Sequence, residues 1–230
     1  MRAPALAGTR LLARYWIEAL LGRGSRTLVN VGACDGQKFD DVTPWFRRIR
    51  NGRALLVEPI PYNLERLRAN FPDRSRFMIE PVAIADKAGR ITIRSFDEAA
   101  LEAGTLPAEL QGCSSITSTN LMHGRTAWGE ADNNFHSFAA FLRDMEIDAE
   151  RLQTVLDRNA IDRIDVLLID AEGADWMVFS QFDFARYHPD MIKIEIGALE
   201  AADIGATVLR LKQNGYRIGI TEEDIWAFAS

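Results

Sequence analysis

The chain has 230 residues, about one and a half typical domain lengths, so a single domain is expected. Lys and Arg number 27 against 33 Asp and Glu, a net charge of −6, which argues against the basic face that sequence-independent nucleic-acid binding requires. Apolar residues at 47% and charged residues at 26% exclude a disordered or fibrous chain, and Cys34 and Cys113 are too few for a disulfide framework and wrongly spaced for zinc.

Along residues 1–25, Leu11, Leu12, Tyr15, Trp16, Ala19 and Leu20 recur at helical spacing, which predicts an amphipathic helix closing on Gly22. Arg10, Arg14 and Glu18 interrupt its apolar positions, so neither a secretory signal nor a membrane span is expected, although a helix lying on a membrane surface is an alternative; with only two cysteines, a reducing, cytoplasmic setting is the simpler reading. Thr27 to Val31 is a β-branched run ending in glycines, the pattern of a buried parallel strand. A helix through Phe46 and Ile49 follows, with Pro44 in its first turn. Ala54 to Val57 is the second strand, Asn63 to Phe71 a helix with Leu64, Leu67 and Phe71 on one stripe, and Phe77 to Val82 the third strand. Ile91 to Arg94 reads as an extra strand.

Phe96 to Arg151 is less regular, carrying Gly104, Pro107, Gly112, Gly124 and Gly129, then an apolar-periodic helix near Phe135 to Met145. A stretch of this kind inside a domain reads as an inserted lid over the substrate. Thr154 is expected to cap a short helix, Ile164 to Ile169 to be a fourth strand and Met191 to Ile196 a fifth. Thr207 to Gln213 is helical with Gly215 just past its end, and two short strands flank the Thr221 to Asp224 turn as an antiparallel hairpin. Alternating strands and helices predict an α/β fold, a mostly parallel sheet with helices on both faces. Ligands of such sheets bind beyond the carboxyl ends of the strands.

Four strand ends therefore carry the candidate chemistry. After the first stand Val31-Gly32-Ala33-Cys34-Asp35-Gly36, two glycines around a loop that serves a plain tight turn as readily as a ligand held against backbone. The third glycine of a dinucleotide fingerprint is missing. After the second stands Glu58, placed where ribose hydroxyls are bound in nucleotide-binding sheets, or a surface glutamate before Pro59. After the fourth comes Asp170-Ala171-Glu172-Gly173-Ala174-Asp175, three acids within six positions crowning a core strand, and Glu195 follows the fifth strand similarly. Converging like charges raise one another's pKa or attract a cation, so these acids suit a general base, a sulfonium or ammonium partner, or a metal ligand.

The segments LVNVGACDGQ, LLVEPIPYNLERLRANF, VAIADKAG, QTVLDRNAIDRIDVLLIDAEGADW and IKIEI resemble, in order and spacing, the FkbM-type methyltransferase family, over Thr27 to Ile196 with an interruption between Arg94 and Leu152. The resemblance implies a Rossmann-like class I methyltransferase fold with a seven-stranded sheet completed by the C-terminal hairpin, and S-adenosylmethionine as cofactor. It implies that the loop of Gly32, Ala33, Cys34, Asp35 and Gly36, with Asn30 beneath it, passes under the methionine part. It also implies that Glu58, with Pro59 beside it, holds the ribose, that Ala83 borders the adenine, and that Asp170 faces the methionine amino group or the reacting centre. Two positions depart from the family: Cys34 stands where Asn is frequent, and Asn30 where an acid is frequent.

Taken together, these features predict one methyltransferase domain over residues 1–230 that O-methylates a small-molecule or carbohydrate acceptor, with no nucleic-acid partner and no membrane insertion, as a monomer or homodimer. Ser114 and Ser115 lie at the near end of the expected lid, close to the cofactor. His123 and His136 within it titrate near neutrality and are candidate bases beside Asp170, or exposed loop histidines. Asp170, Glu172 and Glu195 are candidate ligands for Mg²⁺. A domain that binds S-adenosylmethionine or another nucleoside without turnover, and a nucleotide-dependent oxidoreductase, are the alternative readings.

Overall fold

Strand β1 (Arg26–Val31) is buried along its whole length, as are β7 (Val166–Ile169) and, but for Arg53, β2 (Gly52–Val57). Continuous β-branched and leucine runs suit a parallel strand covered on both faces. The computed structural model describes residues 26–38, 40, 42–49, 51–112 and 138–230. Seven strands form one sheet in the order β3-β2-β1-β7-β8-β10-β9, with β3 (Phe77–Glu80), β8 (Met191–Glu195), β9 (Tyr216–Ile220) and β10 (Asp224–Ala229). Only β10 runs against its neighbours. The expected C-terminal hairpin is thus present, and it completes the sheet.

Side-chain alternation divides the core. Val29, Leu55, Leu167, Ile192 and Ile194 point to one face and pack on α4 (Leu152–Arg158), α5 (Asp175–Ser180) and α6 (Ala201–Gln213) through Val155, Val178, Phe179 and Leu211. Leu28, Ala54, Leu56, Leu168, Met191 and Trp226 point to the other, against α1 (Thr43–Phe46) and α2 (Pro61–Asn70) through Phe46 and Leu67. The strand order turns back between β1 and β7, which makes the carboxyl ends of those two strands the crevice of the sheet.

Several elements depart from expectation. Helix α1 stops at Phe46 and Ile49 is buried outside it. Helix α2 starts two residues early because Pro61 sits in its first turn, where a missing N–H costs nothing. Thr154 lies inside α4 and caps nothing; the helix begins after extended Arg151, and Gln181 Oε1 accepts the Leu152 N–H at 3.2 Å instead.

The larger correction concerns the helix expected near Phe135 to Met145. Ala139–Phe141 is a 3₁₀ turn and Leu142–Glu150 is a strand, β6, in a second sheet of order β4-β6-β5 with β4 (Ala83–Ile84) and β5 (Gly89–Phe96). Both ends of the stretch read as a lid are therefore ordered, with α3 (Glu98–Glu102) and a 3₁₀ turn at Ala108–Gln111 following β5. Ile93, Ile147 and Ala149 seat this sheet on Ile60, Tyr62, Ala83 and Ala85. The helix expected over residues 1–25 lies outside the described residues, as do Cys113, Ser114, Ser115, His123 and His136. Among the described residues no helix is long and apolar enough to cross a membrane.

Candidate active site

The loop after β1 turns on Gly32, whose φ of +85° belongs to the left-handed region. A Cβ there would lie 1.7 Å from the Asp170 carbonyl oxygen, so the absence of a side chain is what lets the β1 loop close on the end of β7. Gly36, at φ +70°, lies against Leu67 and the Phe71 ring, where a Cβ would come within 2.4 Å. The backbone N–H groups of Gly32 and Ala33 both donate to Val57 O, at 2.9 and 3.0 Å, which moors the loop to β2.

Between the glycines, Cys34 also takes a left-handed φ, +46°, and this aims its N–H at Glu58 Oε2, 2.8 Å away. Glu58 Oε1 accepts from Ile60 N at 2.9 Å and from Asn63 Nδ2 at 3.4 Å. Burial pushes the Glu58 carboxyl up to about 7 against the opposing pull of these hydrogen bonds, with the Asp170 charge adding to the rise. A carboxylate has about four lone-pair positions. Among the described residues three donors leave one vacant, so a ribose hydroxyl can be accepted where the loop meets the carboxylate.

Asp35 does not offer its carboxylate in the same way: Oδ1 accepts the N–H groups of Gln37 and Lys38 at 2.9 and 2.8 Å and so shapes the turn. Asn30 lies one pleat below the loop, buried, with Nδ2 donating to Asp40 Oδ2 at 2.9 Å and Thr43 Oγ1 at 3.0 Å. It braces α1 and does not reach the loop surface. Ala83 stands with Ile60 and Tyr62 in an apolar cluster next to Glu58, a setting that suits a flat aromatic base. Pro59 is partly exposed at its margin.

Across the crevice, Asp170 follows β7 directly, and its N–H donates to Val31 O at 2.9 Å. Glu172 at φ +50° and Gly173 at φ +94° fold the next residues back on themselves. Asp175 fixes that turn, Oδ1 accepting from Ala171 N at 2.7 Å and Oδ2 from Gly173 N at 2.9 Å. Its carboxyl is raised to about 7 by burial and then by the Asp170 charge. Glu172 is held well above the usual carboxylate range by burial, then by Asp170 and Asp175. Glu195 is held there by burial, by the charges of Asp170, Glu172 and Asp175, and by a hydrogen bond to Asp170. Acids from two strand ends thus raise one another, and a cation entering there would favour their ionised forms.

That relief does not take the form expected of Mg²⁺. Among the described residues no group of three or more His, Cys, Asp or Glu side chains is placed to hold a metal ion. Both Asp175 oxygens are engaged by backbone, Glu195 turns to Asp170, and the expected set of Asp170, Glu172 and Glu195 is not assembled. The candidate residues Ser114, Ser115, His123 and His136 lie outside the described residues. His188 stands at the opposite edge, stacked on Tyr216 with ring centroids 5.0 Å apart and its Nε2 3.2 Å from Asn214 O.

Three further residues near the site lie outside the candidates that the sequence offered. Asn63 leans on Glu58, and Gln111 receives Asn63 Nδ2 at its carbonyl, 3.3 Å, and Lys38 Nζ at Oε1, 3.2 Å. Lys193 crosses beneath the acids to reach Asp224 at 3.1 Å. An EPxPxN spacing would have singled out Asn63; the other two depend on contacts remote in the chain.

The Methyltransferase FkbM domain family matches residues 30–218. Among solved structures, the methyltransferase FkbM from Methylobacillus flagellatus KT superimposes with a TM-score of 0.52 at 13% identity, over 89% of this chain and 44% of that chain. A fibrillarin pre-rRNA processing protein of Methanococcus jannaschii gives 0.42 at 11% identity, over 89% and 66% of the two chains. A methyltransferase from Geobacter sulfurreducens gives 0.41 at 12% identity, over 100% and 92%. This chain therefore spans less than half the length of the M. flagellatus protein. No protein with a curated description matches it significantly.

Proposed function

The chain belongs to the FkbM methyltransferase family and has a class I Rossmann-like methyltransferase fold, and from that premise we propose that it transfers the methyl group of S-adenosylmethionine to a hydroxyl of a small-molecule or carbohydrate acceptor. The observation that carries this reading is the approach of Gly32 to Asp170: it sets the loop tied to Glu58 directly against an edge of raised acids. A ribose-binding carboxylate and a seat for a cation then share one crevice, which fits a nucleoside bearing an ammonium and a sulfonium.

When bound, S-adenosylmethionine supplies an electrophilic methyl group on a positively charged sulfur. This chain's share is binding, orientation and one proton. Glu58 accepts a ribose hydroxyl on the lone pair that Cys34, Ile60 and Asn63 leave vacant. The apolar cluster of Ile60 and Ala83 covers the base. Asp170, at the seam of the two halves, would accept the proton that the acceptor hydroxyl gives up on methylation. Holding the acceptor in line accounts for most of the acceleration, because the donor is already activated.

Calorimetric titration with S-adenosylhomocysteine and with NAD, followed by transfer of a labelled methyl group to a panel of hydroxylated acceptors, tests the proposal. Binding of S-adenosylhomocysteine alone, transfer to a hydroxyl, and a drop in turnover of about 10²-fold or more in Asp170→Ala with binding kept are expected. Wild-type turnover in that variant removes Asp170 from the reaction. Binding without transfer to any acceptor identifies a binding domain instead.

A further inference from the structure

Lys193 stands in the middle of β8, in register with Leu168 on β7 and Trp226 on β10, both of them buried. An apolar side chain would complete that row, and replacing buried ion pairs by apolar residues is frequently neutral or stabilising. Instead the side chain, 14% exposed, carries its ammonium to within 3.1 Å of Asp224 Oδ1 and 5.6 Å of the Trp226 ring centroid. Burial alone lowers an ammonium's pKa; here Asp224, Asp170 and Asp40 overcome it and hold Lys193 well above its ordinary value, a permanent cation.

Its placement matters more than its charge. Glu195 lies two residues on along the same face of β8, and Asp224 is its register partner on β10. Asp170 continues β7 past Ile169, the partner of Ile194. Asp170, Glu195 and Asp224 therefore form a row along three adjacent strands, on the side of the crevice away from Glu58, with Lys193 one pleat beneath. Asp40, braced by Asn30, faces it from the loop before α1. Asp170 and Asp224 have this cation in reach, whereas Glu195 is raised by burial and by the charges of Asp170, Glu172 and Asp175.

We propose that Lys193 is a positioning residue for the acceptor half of the site, acting through Asp224 and Asp170 to fix the row of carboxyl groups against which the acceptor hydroxyl is set. The proposal rests on the methyl-transfer reading given above. Lys193→Met alone strands Asp224 as a buried charge and is expected to destabilise the fold whatever its role, so the informative variant is Lys193→Met/Asp224→Asn, which removes both charges. That variant is expected to unfold within about 3 °C of the wild type. It is also expected to bind S-adenosylhomocysteine, whose sulfur is uncharged, as tightly as the wild type. Its kcat/KM for the acceptor is expected to fall about 10- to 100-fold. Lys193→Arg, which keeps the cation, is expected to retain most of the turnover.

Wild-type acceptor kinetics in the double variant overturn the proposal. So does a parallel loss of S-adenosylhomocysteine affinity, which would place Lys193 in the cofactor half or in the fold alone. A second readout needs no turnover. An adenosine analogue carrying an ammonium where the methylsulfonium belongs is expected to gain several-fold in affinity over S-adenosylhomocysteine in Lys193→Met/Asp224→Asn, because Asp170 loses its counter-charge. An unchanged ratio overturns the proposal even where the wild type shows no methyl transfer, a result that by itself would count only against the methyl-transfer reading.

Discussion

Gly32 leaves no space for a methyl group. With the Asp170 carbonyl oxygen 1.7 Å from where a Cβ would stand and a backbone φ of +85°, Gly32→Ala must push apart the two strand ends that form the crevice. Both backbone strain and overpacking act, so a loss of about 3 kcal/mol is expected in urea unfolding, together with loss of S-adenosylhomocysteine binding. A milder loss of stability with binding kept would mean that the loop moves freely. Cys34 presents the same physics with the opposite sign. At φ +46° asparagine is the most tolerated side chain after glycine and a β-branched one among the worst. Cys34→Asn is expected to hold or raise the unfolding midpoint, and Cys34→Val to lose about 1–2 kcal/mol while loosening the N–H contact to Glu58. Equal midpoints for the two variants would contradict this. Gly32, Glu58 and Asp170 were legible in the sequence because each directly follows a strand, where the fold puts its ligands. Lys193 was not: it interrupts an apolar strand as a surface lysine would, and only the cross-strand register brings Asp224 to it.

Phe138, Phe141, Leu142 and Met145 fall at i, i+3, i+4 and i+7, a helical stripe by any count of spacing. From Met145 the pattern changes to Met145, Ile147 and Ala149, alternate residues on one face, and β5 presents Ile91 and Ile93 in register with them. The tertiary partner decides between two periodicities that the sequence leaves equal, and the strand wins because pairing with β5 buries its alternate residues on Ile60, Tyr62 and Ala83. The other face carries a ladder of Arg90 with Asp148, Arg94 with Asp144 and Thr92 with Glu146, all exposed. The two faces should respond differently to mutation. Ile147→Ala is expected to cost about 2–4 kcal/mol and to weaken nucleoside binding, since the same cluster adjoins Glu58. Arg94→Ala breaks an exposed pair and is expected to leave both stability and binding unchanged. Thermal unfolding and calorimetry of the two variants side by side check the contrast; a comparable loss in Arg94→Ala would mean the ladder, not the apolar face, holds the sheet.

Over the whole molecule, the net charge of −6 is unevenly placed. Glu58 from β2, Asp170 and Glu172 from the β7 loop, Asp175 from α5 and Glu195 from β8 meet at one end of the sheet, and burial raises Glu58 and Asp175 to about 7 with Glu172 and Glu195 well above the usual range. A carboxyl whose pKa is higher folded than unfolded binds more protons in the native state between the two values, so its contribution to stability is complete below the unfolded pKa and is lost as pH rises through the folded one. For Glu58 and Asp175 that window runs from the ordinary carboxylate range to about 7. The free protein is therefore expected to unfold at a lower temperature at pH 8 than at pH 5.5, the reverse of a protein whose carboxylates are paired. Binding of a cation has the opposite sign, because it favours the ionised acids: S-adenosylmethionine should bind more tightly as pH rises over the same range and release protons as it binds. Titrations at pH 6 and pH 8, each in two buffers of different ionisation enthalpy, measure the affinity and the proton count together. Glu58→Gln removes one of the shifted groups and is expected to flatten the stability profile. An unfolding midpoint that climbs with pH in the free protein would show that these acids are already compensated, and would remove the electrostatic reason for this edge to hold a sulfonium.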